Sequence, residues 1–455
     1  MSARFESPEV RRALGLPPAA GRTRYASVTT DTRSLRRGAL FVALQGQRFD
    51  GVDFLAEARR RGALGAVVPA GRTLPDLDLE WFVVPDTLRA LGDLARAWRR
   101  RCAARVVGIT GSSGKTTVKE MLALALRARL RAHATPGNLN NLVGVPLSML
   151  AAPADADVWV LELGTSQPGE VARLASVCEP DDAIVTTVGP AHLEGLGDVE
   201  GVLREKLSLV RAAKGAGAVV VGERPAELVR AARAIRPDTV VAGLEPGAAW
   251  RPERWGSEAG SAWMERDGVR WHLHVGGEHH VRDAALASAM AEAHGVPAAE
   301  AARALAAYEP IGLRGLLLRA GRLSVLADCY NANPESFAAA IRYAVDAFPG
   351  RRRAAVVSSM LELGDRSNEA HAEVARLLHD ADFDPVIALG AFRSAFDVLG
   401  AGGRSRVRFA TGVSDALRLL EESLHGDELV LVKASRGERL ERVVDGLRKR
   451  HGEDA

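Results

Sequence analysis

The sequence predicts an α/β protein of three domains, and three observations carry that reading. The chain has 455 residues, enough for roughly three domains of about 150 residues each. Strand-like apolar runs alternate with helix-like segments through its middle, the pattern of a mostly parallel sheet with helices on both faces. The same alternation resumes beyond Tyr308-Glu-Pro-Ile-Gly312, which reads as a linker.

Residues 23–84 mix short apolar runs (Leu40–Leu44, Ala66–Val68, Trp81–Val84) with one helical stretch, Asp53–Arg61, and so form a small α/β unit. The central unit carries the runs Val106–Ile109, Val158–Leu163, Ala183–Val188 and Ala218–Val221. Pro246–Gly277 reads as irregular, holds four of the seven tryptophans, and precedes a helix-like Ala284–His294. Leu323–Ala327, Ala354–Val357, Val386–Leu389 and Glu428–Lys433 make the last unit Rossmann-like. The expected domains are 1–103, 104–311 and 312–455.

A net charge of +3 gives no electrostatic footprint for nucleic acid or an anionic membrane surface. The triplets Arg99–Arg101 and Arg351–Arg353 read as solvated loop charges. No apolar run approaches the ~18 residues of a membrane span, and residues 1–30 lack a signal-like apolar core. The three cysteines are scattered without a C-x-x-C pair, so neither a disulfide framework nor a zinc site is expected. A soluble, cytoplasmic protein is the expectation. Two scarcities are informative: only six of the 60 cationic side chains are lysine, and only six residues are asparagine. Five of those asparagines fall in two clusters, Asn138/Asn140/Asn141 and Asn331/Asn333.

Val106-Val-Gly-Ile-Thr-Gly-Ser-Ser-Gly-Lys-Thr-Thr117 passes from a strand-like run through a glycine-rich turn into a helix. Its apolar positions Val118, Met121, Leu122 and Ala125 keep i, i+3, i+4, i+7 spacing. In such a turn the backbone N–H groups of Gly111, Ser112, Ser113 and Gly114 curl around phosphate oxygens at a helix N-terminus. Lys115 adds a mobile charge, Thr116 a hydroxyl for magnesium, and Thr117 extends the segment, so ATP is the expected ligand. The strict G-x-x-x-x-G-K-[ST] spacing fails by one position. Gly108 lies a residue too early, and Ile109 stands where the glycine belongs.

Thr110-Gly-Ser-Ser-Gly-Lys-Thr-Thr117 resembles the variant phosphate loop of the Mur ligase family, which makes the peptide stem of bacterial peptidoglycan. Thr135-Pro-Gly-Asn-Leu-Asn-Asn-Leu-Val-Gly-Val-Pro146, Gly189-Pro-Ala-His-Leu-Glu-Gly195, Asp328-Cys-Tyr-Asn-Ala-Asn-Pro334 and Met360-Leu-Glu-Leu-Gly364 resemble its D-Ala-D-Ala-adding branch. Asp31-Thr-Arg33, Gly38–Leu44 through Asp50-Gly51, and Lys433-Ala-Ser-Arg-Gly437 do so too, giving collinear similarity from about residue 25 to 447.

The resemblance implies that ATP phosphorylates the terminal carboxylate of a UDP-linked muramyl tripeptide and that D-Ala-D-Ala attacks the acyl phosphate. It makes Lys115, Glu162, His192 and Lys206 catalytic, with Thr116, Glu162, His192 and a carbamylated Lys206 as magnesium ligands. Only a neutral primary amine captures carbon dioxide, so an arginine could not replace Lys206. A carboxylate capping a strand could be a solvated charge, but the largely apolar residues before Glu162 and the Gly-Thr after it favour the ligand reading; a lone histidine is usually structural or exposed, and Glu194 stands beside His192 as a further candidate. Asn141, Asp283, Arg314 and Asp328 join the phosphate loop as implied ATP contacts. Asp31, Thr32, Arg33 and Asp50 match the uridine-nucleotide domain; Tyr330, Asn331 and Asn333 match the dipeptide region; Lys433, Ser435 and Arg436 fall near either peptide. A mobile three-domain monomer is implied.

The chain departs from the family at His279-His-Val-Arg-Asp283, where H-N-x-x-N is usual, so His280 and Asp283 replace two asparagines near the adenine. An ionised Asp283 accepts a hydrogen bond but has none to donate. Ser358-Ser359 and Val52 also replace the usual residues. The alternatives are a neighbouring amide ligase of the superfamily, a nucleotide-binding regulator that has lost ligation, and a P-loop kinase. Tyr330-Asn-Ala-Asn-Pro334 argues against the first, joint retention of Lys115, Glu162, His192 and Lys206 against the second, and the two flanking domains against the third.

Overall fold

The computed structural model describes residues 3–46 and 49–452. Its α/β architecture is built on three sheets met in chain order. The first places Ser27–Thr29, Ala39–Val42, Gly65–Pro69 and Glu80–Val84 side by side, all parallel. The second runs Val240–Ala242, Val219–Gly222, Asp182–Val185, Arg105–Thr110, Val158–Glu162, Ala132–Ala134, again all parallel. The third runs Leu316–Ala320, Leu323–Asp328, Leu429–Lys433, Arg353–Val357, Phe383–Ala388, Val407–Phe409, with only the first strand antiparallel. Central strands such as Val158–Glu162 are buried throughout, as a parallel sheet covered by helices on both faces requires.

In the second sheet the chain leaves Arg105–Thr110 for Ala132–Ala134 and Val158–Glu162 on one side, then crosses to Asp182–Val185 on the other. That reversal opens a crevice at the carboxyl ends of these strands. The third sheet has a matching crevice, because Leu429–Lys433 inserts between Leu323–Asp328 and Arg353–Val357. The helix Lys115–Arg127 packs against the alanine-rich Glu278–Ala293, which is buried around most of its circumference.

Two sequence expectations are corrected. Pro246–Gly277 is ordered: Arg254–Glu258, Ser261–Arg266 and Val269–Leu273 form an antiparallel sheet whose Trp271 and Met264 enter the core. The second hairpin turns at Asp267-Gly268, both at positive φ (50° and 73°), the backbone that an Asp-Gly pair favours. The arginine triplets are only partly loop charges: Arg351 and Arg352 lie in the loop before the strand Arg353–Val357, with Arg352 exposed, but the first triplet is helical. Arg99–Arg101 closes the helix Thr87–Arg101; Arg99 is 6% exposed and reaches Asp181 at 2.7 Å, while Arg101 covers Phe5 and Trp98. Arg351 donates to Ser324 Oγ at 2.8 Å, and Arg353 opens a strand.

That first helix joins two units. Leu94, Ala95 and Trp98 share one core with Met149, Ala152 and Leu174 of the second unit, and Trp98 Nε1 donates to the Ala152 carbonyl at 3.3 Å. Trp98→Ala should therefore lower unfolding stability by about 3–5 kcal/mol, measured by urea denaturation. A loss below about 1 kcal/mol would contradict a shared core.

Candidate active site

The two crevices face each other across one cavity of about 550 Å³, lined by residues of the second and third units. Its floor is the turn between Arg105–Thr110 and Lys115–Arg127. Gly111 (φ 152°) and Gly114 (φ 80°) hold backbone angles that side chains rarely adopt. A Cβ on Gly111 would fall on the Thr186 hydroxyl, and one on Gly114 would lie 2.5 Å from Asp283 Oδ1. The early glycine has a different use: a Cβ on Gly108 would come within 2.8 Å of Leu209 Cδ1. Gly108 therefore serves the approach of the helix Val199–Ala212 to the strand rather than the phosphate turn.

Glu162 ends its strand with the carboxylate buried at 1% exposure. The Thr116 hydroxyl donates to one oxygen and the Asn140 amide to the other, each at 2.8 Å. Asn141 lines the cavity, yet its Oδ1 accepts from Val143 N (3.1 Å) and Gly144 N (2.8 Å) in the turn that leads into the helix Gly144–Ala151. Lys115 Nζ donates to the Gly111 carbonyl at 2.7 Å. Burial lowers its pKa, which Glu162 partly offsets. Lys206 is fully buried, its Nζ makes no hydrogen bond, and burial followed by Lys115 pushes its pKa well below the ordinary lysine range. The neighbouring Glu205 does not neutralise it by pairing, because Glu205 accepts from Gly169 N and Val171 N at 2.7 Å each. A buried, unpartnered amine whose neutral form is favoured by its surroundings has the chemistry that carbamylation needs.

His192, at φ 55°, sets its Nδ1 against the Glu362 carboxylate, and Glu362 itself sits at φ 63°. A left-handed residue with a side chain costs about 1–2 kcal/mol, so this contact brings two unfavourable conformations together. The His192 bond also lowers the Glu362 pKa. Asp328 and Lys433, adjacent in strand register, form an ion pair with Lys433 fully buried. Tyr330 lies between two guanidinium groups, Arg314 at 3.8 Å and Arg436 at 5.1 Å from the ring centre. The buried Arg314 Nε has no hydrogen-bond partner. Asn331 Oδ1 accepts from Ala332 N at 2.9 Å. Asn333 caps the helix Pro334–Asp346 and donates to Ser113 Oγ at 3.1 Å, so the third unit touches the phosphate loop directly. Ser435 Oγ accepts from Leu361 N at 3.0 Å.

Burial, with Glu335 nearby, raises the Asp283 pKa well above the carboxylate range. This corrects the expectation of an acceptor only. A protonated Asp283 offers one donor and one acceptor, as an asparagine amide does. His280 Nδ1 faces the Gly276 carbonyl at 2.7 Å, and its ring lies 4.1 Å from that of His279. Asp31, Thr32, Arg33 and Asp50 do not line this cavity. Asp31 accepts from Arg33 N, Asp50 accepts from Val52 N, and both cap short turns in the first unit. Sequence reasoning did not single out Glu335 or Glu362 as site residues, although Glu362 lies inside Met360-Leu-Glu-Leu-Gly364. The signal lay in that segment itself, an acidic residue held in an otherwise apolar run.

Three family descriptions match successive parts of the chain: "Mur ligase family, catalytic domain" over residues 24–99, "Mur ligase middle domain" over 109–291, and "Mur ligase, glutamate ligase domain" over 316–436. The UDP-N-acetylmuramoyl-tripeptide–D-alanyl-D-alanine ligase of Bacillus subtilis is 33% identical over 92% of both chains. That of Escherichia coli is 34% identical, covering 93% of this chain and 94% of its own. A crystal structure of MurF from Acinetobacter baumannii superposes with a TM-score of 0.88 at 26% identity, covering 99% of this chain and 100% of that one. MurF ligase from Thermotoga maritima, in complex with ADP, gives 0.81 at 29% identity over 93% and 97%. On its sheets, its phosphate loop and these likenesses, the chain belongs to the Mur ligase family.

Proposed function

We propose that this protein is an ATP-dependent ligase that joins D-Ala-D-Ala to UDP-N-acetylmuramoyl-tripeptide through an acyl phosphate. The observation that carries the reading is the convergence, on one cavity, of the phosphate loop, buried Glu162 and the Tyr330–Asn333 segment, with unpartnered Lys206 behind them. We assign 1–103 to the UDP-muramyl substrate, 104–311 to ATP and 312–455 to ligation, acting as a cytoplasmic monomer. Among the described residues no helix is long and apolar enough to cross a membrane.

In this reading Gly111–Thr117 cradle the nucleotide phosphates and Lys115 follows the transferred phosphoryl group. Asp283, neutral in its buried site, supplies a donor and an acceptor to the base, with Asn141, Arg314 and Asp328 closing around the nucleotide. The tripeptide carboxylate attacks the γ-phosphorus as the bond to the β-phosphate oxygen breaks. The amino group of D-Ala-D-Ala then attacks the acyl carbon, losing a proton and expelling inorganic phosphate. Tyr330, Asn331, Asn333, Lys433, Ser435 and Arg436 position the two peptides, and Asp31, Thr32, Arg33 and Asp50 hold the uridine nucleotide.

Thr116, Glu162, His192 and carbamylated Lys206 would hold magnesium, which when bound supplies charge neutralisation at the phosphoryl group. Oxygen donors and one imidazole suit that ion, and the unpartnered Lys206 amine fits conversion to a carbamate. In that conversion an N–C bond forms to carbon dioxide and one proton leaves the nitrogen. Among the described residues no three His, Cys, Asp or Glu side chains converge as a ready-made cation cage. Magnesium characteristically uses one or two carboxylates together with substrate phosphates.

Phosphate release with ATP and the UDP-muramyl tripeptide should depend on D-Ala-D-Ala; release indifferent to it would refute the assignment. Lys206→Ala should lose roughly 100-fold or more of the activity and regain part of it with added short carboxylates. Full activity in that variant would remove Lys206 from the site. Asp283 holds its proton above the unfolded aspartate value of about 3.9, so the native state binds more protons and stability falls as pH rises past that value. Asp283→Asn should therefore gain melting temperature over the parent increasingly from pH 5 to pH 8, and a pH-independent difference would contradict the neutral carboxyl.

A further inference from the structure

Met360-Leu-Glu-Leu-Gly364 crosses from the third unit to the Gly189–Gly195 loop of the second. Three observations meet there. Glu362 Oε2 lies against His192 Nδ1. The Glu362 carbonyl accepts from Glu194 N at 3.2 Å, so the two loops are joined by backbone as well as side chain. Both His192 and Glu362 hold left-handed backbone angles, among only six such non-glycine positions in the described residues. Strain that persists at a contact between two domains marks a geometry the surroundings impose.

The pair is not there for stability. The Glu362 side chain is 52% exposed and His192 22%, and ion pairs this open contribute little to folding. Orientation is the remaining role. A carboxylate oxygen only accepts, so Nδ1 carries the hydrogen and Nε2 is left as the lone-pair nitrogen of the neutral ring. A histidine that binds a metal through one nitrogen usually donates the other N–H to such a carboxylate, which sets tautomer and ring orientation.

We propose that Glu362 is a positioning residue for ligation: brought in by the third domain, its carboxylate takes the Nδ1–H of His192 and thereby presents Nε2 as the cation-binding atom. The proposal rests on the reading of His192 as a magnesium ligand given above. It ties cation binding in the second domain to docking of the third, since the orienting carboxylate belongs to the third domain.

The test uses full-length protein with ADP, imidazole-15N labelling to read the His192 tautomer, and Mn2+ binding by electron paramagnetic resonance. The parent should show the Nδ1–H tautomer. Glu362→Ala should lose that preference and weaken Mn2+ binding by about 10–100-fold. Glu362→Gln, whose amide oxygen still accepts, should stay close to the parent in both. His192→Gln assigns the resonance and isolates the premise. If His192→Gln weakens Mn2+ binding but Glu362→Ala does not, the role of Glu362 is overturned alone. Glu362→Gln behaving like Glu362→Ala would also overturn it. Unchanged Mn2+ binding in His192→Gln would overturn the metal role of His192, and this proposal with it.

Discussion

A carboxylate buried at the end of the central sheet is the constraint on which the site depends. Glu162 is held by two neutral donors, the Thr116 hydroxyl and the Asn140 amide, so its negative charge is satisfied by hydrogen bonds rather than by an adjoining cation. Burying a charge in this way is unfavourable unless its geometry is tightly organised. That organisation links three separate stretches of chain: the helix after the phosphate loop, the strand Val158–Glu162, and the asparagine segment. Lys206 presents the opposite case close by, an amine buried without any hydrogen-bonding partner. A glycine-rich turn at a helix N-terminus, a buried carboxylate and an unpaired amine together suit a phosphate-bearing ligand arriving with its cation.

Sheet topology delivers these groups to one place. The strand order reverses beside Arg105–Thr110, so three strand ends open into a crevice instead of being roofed by a crossover. The third sheet repeats the arrangement, sending Asp328 and Lys433 from adjacent strand ends. Their ion pair is one whose separation would be costly, because Lys433 is fully buried and removal of either partner leaves an uncompensated charge. The third domain then docks at Ser113 and His192, touching both the phosphate loop and the loop Gly189–Gly195.

The familial asparagines replaced at His280 and Asp283 become less disruptive when burial is considered. A carboxyl group displaced from water and set near Glu335 holds its proton to higher pH, and in the protonated form matches an amide in donors and acceptors. Asp283 also lies against Gly114, where any Cβ would collide with it. The substitution and the loop glycine therefore belong to one packing arrangement.

Much of the fold was readable because it rests on short-range pattern. The phosphate loop and the runs at Val158–Leu163 and Leu323–Ala327 all declare themselves within a dozen residues. Lys115 was legible for the same reason, since it sits inside the short phosphate-loop motif. The Asp267-Gly268 hairpin was equally local and was passed over among the tryptophans. Other features were beyond any local reading. Gly108 meets Leu209, Arg99 meets Asp181, Asp328 meets Lys433 and His192 meets Glu362 only because particular strands and domains lie side by side. By itself the sequence determined which residue types could bind phosphate and where the central strands of the parallel sheets would form. Tertiary structure alone decided which of them meet, which remain charged and which are left without a partner, because burial and long-range contact set those properties.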